Sequence, residues 1–153
     1  MKKKLTEQEK KRYGTEKTRD KIPEFSCNSK SKEEYKALLA DEVYRIMFED
    51  GTEPSFSHPL HNNKEEGIYH CAACGQPLFG SEAKFDSGTG WPSFYAPLSP
   101  ESLDFEVDYF LIMPRTAVLC SCCNGHLGHV FDDGPSPTFF RYCMNGTALK
   151  FYK

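Results

Sequence analysis

The chain is 153 residues long, carries a formal net charge of -3, and is 39% hydrophobic and 27% charged. That length suits one ordinary domain with its own core, and cations scattered outside the first residues argue against a nucleic-acid partner. No apolar run follows the basic opening Met1-Lys2-Lys3-Lys4, so neither a signal peptide nor a membrane span is expected, and the protein reads as soluble and cytoplasmic.

Residues 1–30 are mostly charged or small and polar, which predicts a flexible or partly helical arm. Ser31 with Glu34 three residues on is a capping-box signature, and Tyr35, Leu38, Leu39, Val43, Ile46 and Met47 recur at helical spacing. The expectation is one helix over 31–50, stopped at Gly51 and laid over the main body. From residue 52 to 153 short apolar stretches are broken by Gly, Pro, Asn and Asp, the texture of a mainly β, antiparallel core. Expected strands run over 67–70, 109–113, 117–119, 128–131, 139–144 and 147–152. Asn145-Gly146 between the last two predicts a type I′ hairpin, with Cys143 at a strand end just before the turn.

Six of the seven cysteines fall between residues 71 and 143. Cys71/Cys74 and Cys120/Cys123 form two Cys-x-x-Cys knuckles, whose spacing lets four sulfurs close a tetrahedron around one ion at about 2.3 Å. Four thiolates leave no open position, so the ion is expected to be structural, one Zn2+ per chain, with iron as the alternative. A single dithiol redox pair is the rival reading, and it fits a βαβ context better than this β texture. Cys122 is expected to be a bystander beside Cys123.

Cys143 stands apart in Arg141-Tyr142-Cys143-Met144-Asn145. A lone cysteine is more often a small buried hydrophobe than a nucleophile. Its company alters that balance: His126 and His129 lie in Gly125-His126-Leu127-Gly128-His129-Val130-Phe131, and the only tryptophan, Trp91, lies in Ser87-Gly88-Thr89-Gly90-Trp91-Pro92-Ser93-Phe94. In a regular strand His126 and His129 would point to opposite faces, so one shared pocket requires a bend near Gly128. The two knuckles, the Trp91 segment, the His126–Phe131 segment and the Cys143 segment, taken in this order, resemble the type B peptide methionine sulfoxide reductases. The resemblance runs from about Gly51 to Phe151.

That resemblance implies two antiparallel β-sheets with short peripheral helices, and thiol-dependent reduction of methionine R-sulfoxide, free or in oxidised proteins, as repair of oxidative damage. It further implies Cys143 as nucleophile, passing through a sulfenic acid. His129 would protonate or hydrogen bond the sulfoxide oxygen, with His126 beside it. Asn145 would contact the substrate or orient a catalytic group, and Trp91 would seat the methyl group. For each the ordinary alternative is structural: a hydrogen-bonded core histidine, a turn residue, a core tryptophan. Arg141 has two equal readings, an electrostatic partner of the thiolate and a surface strand residue.

Two positions depart from the family pattern. Thr89 occupies a position where many members carry a second, resolving cysteine, so regeneration must use Cys27 on the arm, Cys122, or an external donor such as thioredoxin or glutathione. Ala117 stands where an acid is expected, which removes any salt bridge there. A monomer without nucleic-acid or membrane partners is expected. The rival of another class is a zinc-knuckle binding module without catalysis.

Overall fold

A computed structural model describes residues 2–109 and 113–153. Its strands are β1 (Lys2–Lys4), β2 (Ile68–Cys71), β3 (Pro77–Gly80), β4 (Lys84–Phe85), β5 (Ser93–Phe94), β6 (Leu103–Asp108), β7 (Arg115–Cys120), β8 (His126–Phe131), β9 (Arg141–Met144) and β10 (Leu149–Tyr152). They form two sheets, one of seven strands in the order β1-β6-β7-β8-β9-β5-β4 and one of three in the order β10-β2-β3. Every pairing is antiparallel. Short helices lie at the periphery, so the mainly β, two-sheet expectation describes the molecule. Of the strand expected over 109–113, residues 110–112 lie outside the described residues, and Tyr109 and Met113 are not in a strand.

The core lies where the sheets face each other. Phe79 of the small sheet stacks on Phe94 of the large one at 4.4 Å between centroids, and Tyr69 meets Phe94 edge-on at 5.0 Å. Tyr142 joins this cluster from β9 and Met144 follows it, at 1% and 0% exposure, while Cys143 between them is only partly buried. Each such aromatic side chain contributes about 1.5–3 kcal/mol by leaving water. The alternation along β9 thereby puts Cys143 on the opposite face from the core.

The helix expected over 31–50 is two helices, α2 (Lys32–Leu38) and α3 (Asp41–Phe48), following the four-residue α1 (Glu7–Lys10). The Ser31 capping box forms: Ser31 Oγ accepts from Glu34 N at 3.2 Å, and Glu34 Oε1 accepts from Ser31 N at 3.1 Å. Leu39 and Ala40 then turn extended, with ψ of 151° and 147°. The break has a packing cause. Tyr35 and Phe48 stack at 5.1 Å, whereas thirteen residues of continuous helix would separate them by about 20 Å. Folding back turns Ile46 and Met47 into the core and leaves Leu38 66% exposed. Asp50, not Gly51, takes the left-handed conformation after α3.

The expected Asn145-Gly146 hairpin does not form either. Asn145 is extended, Gly146 opens a 3-10 turn, and β9 and β10 belong to different sheets. The local turn signal is overridden by buried contacts to Glu53, described below.

The first thirty residues divide in two. β1 adds to the edge of the large sheet, Leu5 N donates to Phe105 O at 2.9 Å, and Tyr13 stacks on Phe105 at 4.6 Å. Lys10 pairs with Asp104 at 2.7 Å. Residues 21–30 run without regular structure, mostly exposed, to Lys30, whose N–H donates to the Tyr35 hydroxyl at 3.1 Å. Among the described residues no helix is long and apolar enough to cross a membrane.

Candidate active site

Antiparallel register builds the site. Ser93, Cys143, His129, Ala117, Glu106 and Lys4 are direct cross-strand partners in succession, one row over six strands. Residues opposite one another share a face at about 4.5–5.5 Å between Cβ atoms. His129 is therefore an immediate neighbour of Cys143, on the face away from the core.

His126 reaches the same face through an irregularity. Val118 pairs with Gly128 and Leu119 with His126, so Leu127 is an extra residue on β8. Such a bulge reverses the alternation beyond it, and the two imidazoles meet edge to face at 5.2 Å. The bend anticipated near Gly128 is this bulge. Gly128 also needs to be glycine, because a Cβ there would lie 2.0 Å from Cys143 O. Beyond the histidines a cavity of about 150 Å³ is lined by Lys2, Asp50, Thr52, Arg115 and Ala117. The small side chain of Ala117 leaves this space open within the row.

Burial pushes His129 down to about 4, helped by the neighbouring His126 and the Arg115 charge, and burial lowers His126 as well. Both rings are therefore neutral near pH 7, and each offers one N–H donor and one acceptor nitrogen. Burial raises the Cys143 thiol, opposed by the Arg141 charge and by hydrogen bonds from Thr89 and Arg141. Thr89 continues into a chain of hydroxyls: Ser87 is 2.7 Å from Thr89 and 2.7 Å from Ser93, which donates to Trp91 O at 3.1 Å. Arg141 is itself held by Asp133 at 2.9 and 3.2 Å and stacks over Phe131 at 4.3 Å. Its charge favours the thiolate of Cys143, the electrostatic one of the two roles its sequence position left open.

Trp91 is half-buried and donates Nε1–H to Glu53 O at 3.0 Å. Asn145 is buried; its Oδ1 accepts from Glu53 N at 3.0 Å and its Nδ2 donates to Leu127 O at 3.1 Å. The Glu53 carboxylate accepts from Gly146 N at 2.9 Å and from Thr147 N and Oγ1, both at 2.8 Å. Sequence reasoning missed Glu53 altogether. Nothing local marks it, since its partners lie 38 to 94 positions away.

Away from this row, the Sγ atoms of Cys71, Cys74, Cys120 and Cys123 all lie within 4.8 Å of one another. Cys71 and Cys123 are 3.6 Å apart, and Cys74 and Cys120 3.5 Å. Sulfurs placed about 2.3 Å from a central ion define tetrahedron edges of about 3.8 Å, so the group fits a metal ion. Cys27 is not brought to Cys143. The expectation of Cys27 as a possible resolving thiol is corrected: Cys27 is disulfide-bonded to Cys122, which lies next to Cys123 of the four-cysteine group.

Comparison with known proteins points to a family. Residues 39–153 match the family model described as "SelR domain". Proteins called "Peptide methionine sulfoxide reductase MsrB" are similar over most of their length: one from Hahella chejuensis is 51% identical over 123 residues, 80% of this chain and 88% of that protein. One from Methanosarcina mazei is 52% identical over 124 residues, covering 81% and 89%. One from Leptospira interrogans is 51% identical over 125 residues, covering 82% and 95%.

Proposed function

This chain belongs to the SelR-domain family of MsrB-type peptide methionine sulfoxide reductases, and from that premise we propose how its residues carry the reaction. The protein is an oxidoreductase that reduces methionine sulfoxide to methionine in oxidative-damage repair, and its chemistry is thiol-dependent. The proposed substrate is the R epimer, free or within proteins, with Cys143 as nucleophile. The observation that carries this reading is the row in which Cys143 and His129 are cross-strand partners, with His126 bulged onto the same face.

The proton inventory shapes the proposed step. A raised thiol beside neutral imidazoles means that the proton enters on sulfur. His129 accepts it while its other nitrogen donates to the sulfoxide oxygen, and the Cys143 sulfur attacks the substrate sulfur. The oxygen, with the proton given by that second nitrogen, passes to Cys143 as sulfenic acid, methionine leaves, and His129 is left neutral with the former thiol proton on its first nitrogen. Atoms balance: thiol plus sulfoxide gives sulfenic acid plus thioether. Asn145 orients this array, and Trp91 with His126 lines the seat of the substrate.

Thr89 cannot close a disulfide, and Cys27 is engaged with Cys122. We therefore assign regeneration to an external donor, thioredoxin or a small thiol such as glutathione. One thiol condenses with the sulfenic acid, releasing water, and a second thiol releases Cys143. Zn2+ is the proposed ion for the four-cysteine group, where it would supply cross-linking and no chemistry. A monomer in the cytoplasm, without nucleic-acid or membrane partners, is the proposed setting.

The test is methionine formation from separate R and S epimers with excess dithiothreitol, for the native protein and Cys143→Ser. Selective turnover of the R epimer, abolished by the substitution, is expected. Turnover of neither epimer by metal-loaded native protein would defeat the reading.

A further inference from the structure

We propose that Glu53 is the positioning residue of this site: its carboxylate and both of its peptide groups hold Trp91 and Asn145 against the strand end that carries Cys143. The proposal deepens the reductase reading above and rests on it. Glu53 is 1% exposed, and among the described residues its carboxylate has donors but no cation, namely Gly146 N, Thr147 N and Thr147 Oγ1 at 2.8–2.9 Å. A buried carboxylate is costly even when hydrogen-bonded. Packing alone would be served as well by an apolar side chain, so the location calls for another role.

The contacts supply one. The carboxylate clamps Gly146 and Thr147, the two residues directly after Asn145, and so prevents the tight hairpin that Asn145-Gly146 would otherwise favour. Glu53 N donates to Asn145 Oδ1 at 3.0 Å, and Asn145 Nδ2 donates to Leu127 O at 3.1 Å. The amide is thus fixed at both ends, and its second anchor is the bulged residue that puts the histidines on one face. Glu53 O accepts the single indole donor of Trp91 at 3.0 Å, which sets the ring and leaves its faces apolar. One residue therefore ties the indole seat, the amide and the histidine bulge together. Its charge also adds a small opposition to ionisation of Cys143, beside the larger effect of burial.

The two effects separate experimentally. Glu53→Gln keeps the side-chain shape, sets an amide NH2 against a backbone N–H and removes the charge; Glu53→Asp keeps the charge but falls one methylene short of the clamp. In metal-loaded full-length protein, both should lower kcat/KM for the R-sulfoxide by about tenfold or more, chiefly through kcat. Iodoacetamide alkylation of Cys143 should shift to lower pH in Glu53→Gln and stay near the native profile in Glu53→Asp. A merely structural residue would not lower kcat/KM in both variants while the alkylation profile moved only in the one that lost the charge. A kcat/KM within twofold of native in Glu53→Gln, or an alkylation profile that does not move, would overturn the proposal. If both variants lose the fold, as judged by metal content and circular dichroism, Thr147→Val carries the test by removing one clamp donor. A loss of about threefold or more in kcat/KM is then expected, and unchanged kinetics would sink it. Alkylation needs no substrate, so native protein inactive on sulfoxide would defeat the reductase reading while this arm remained readable.

Discussion

At the scale of single residues, the two histidines are notable for being neutral. His129 titrates near 4 in the folded protein against an ordinary 6.5, with burial the largest cause. Between those values the unfolded chain binds a proton that the native protein refuses. This contribution to stability is whole above pH 6.5, declines as pH falls through 6.5, and is fully lost below about 4. A plot of Tm against pH should therefore slope down over that window, and His129→Gln should be flatter there. Some slope will remain, because burial also lowers His126. Equal slopes in the two proteins would show that the ring is no less basic than a free imidazole. Glu53 teaches a different lesson at this scale: the glutamate that organises the site carries no sequence signature, because its role consists of contacts made after folding.

Among the elements, β8 decides the most. The bulge at Leu127 and the close approach of Gly128 to Cys143 O place both histidines and Cys143 on one surface. Gly128→Ala would force a methyl group into that carbonyl, and a loss of about 2 kcal/mol or more is expected from the urea midpoint. Native-like stability would mean that the strands part more easily than their register implies. Here the line between legible and illegible features is physical. The capping box at Ser31 and the two knuckles depend on neighbours within four residues, and sequence reveals both. The break at Leu39 depends on Tyr35 meeting Phe48, and the loss of the Asn145-Gly146 hairpin on a carboxylate more than ninety positions away. Local propensity cannot report either. Leu103–Asp108 is the opposite case, since its alternation of apolar and acidic residues was readable as a strand although it was not among those expected.

Across the whole molecule, the four-cysteine group joins the two sheets. Cys71 ends β2 in the small sheet, and Cys120 ends β7 in the large one. An ion there would tie the two layers together, and its binding energy becomes folding energy. Cys123→Ser should lose metal and lower Tm substantially, and prolonged chelation should reproduce the loss. Cys122→Ser should keep full metal stoichiometry by inductively coupled plasma measurement; a metal-free product would make Cys122 a ligand. The knuckles at the far end of β7 from Arg115 also keep this bracing away from the Cys143 row.

The pleat of β9 has one more consequence. Tyr142 and Met144 sit in the core on either side of Cys143, so a slip of one residue would drive the thiol inward and push both apolar side chains into water. At about 1.5–3 kcal/mol for each, that mistake is forbidden by hydrophobic packing and not by any bond the sulfur makes. The address of the Cys143 sulfur is thus written in its two inert flanks. Replacing either flank with a polar residue would misdeliver the sulfur even in a protein whose every reacting group was intact.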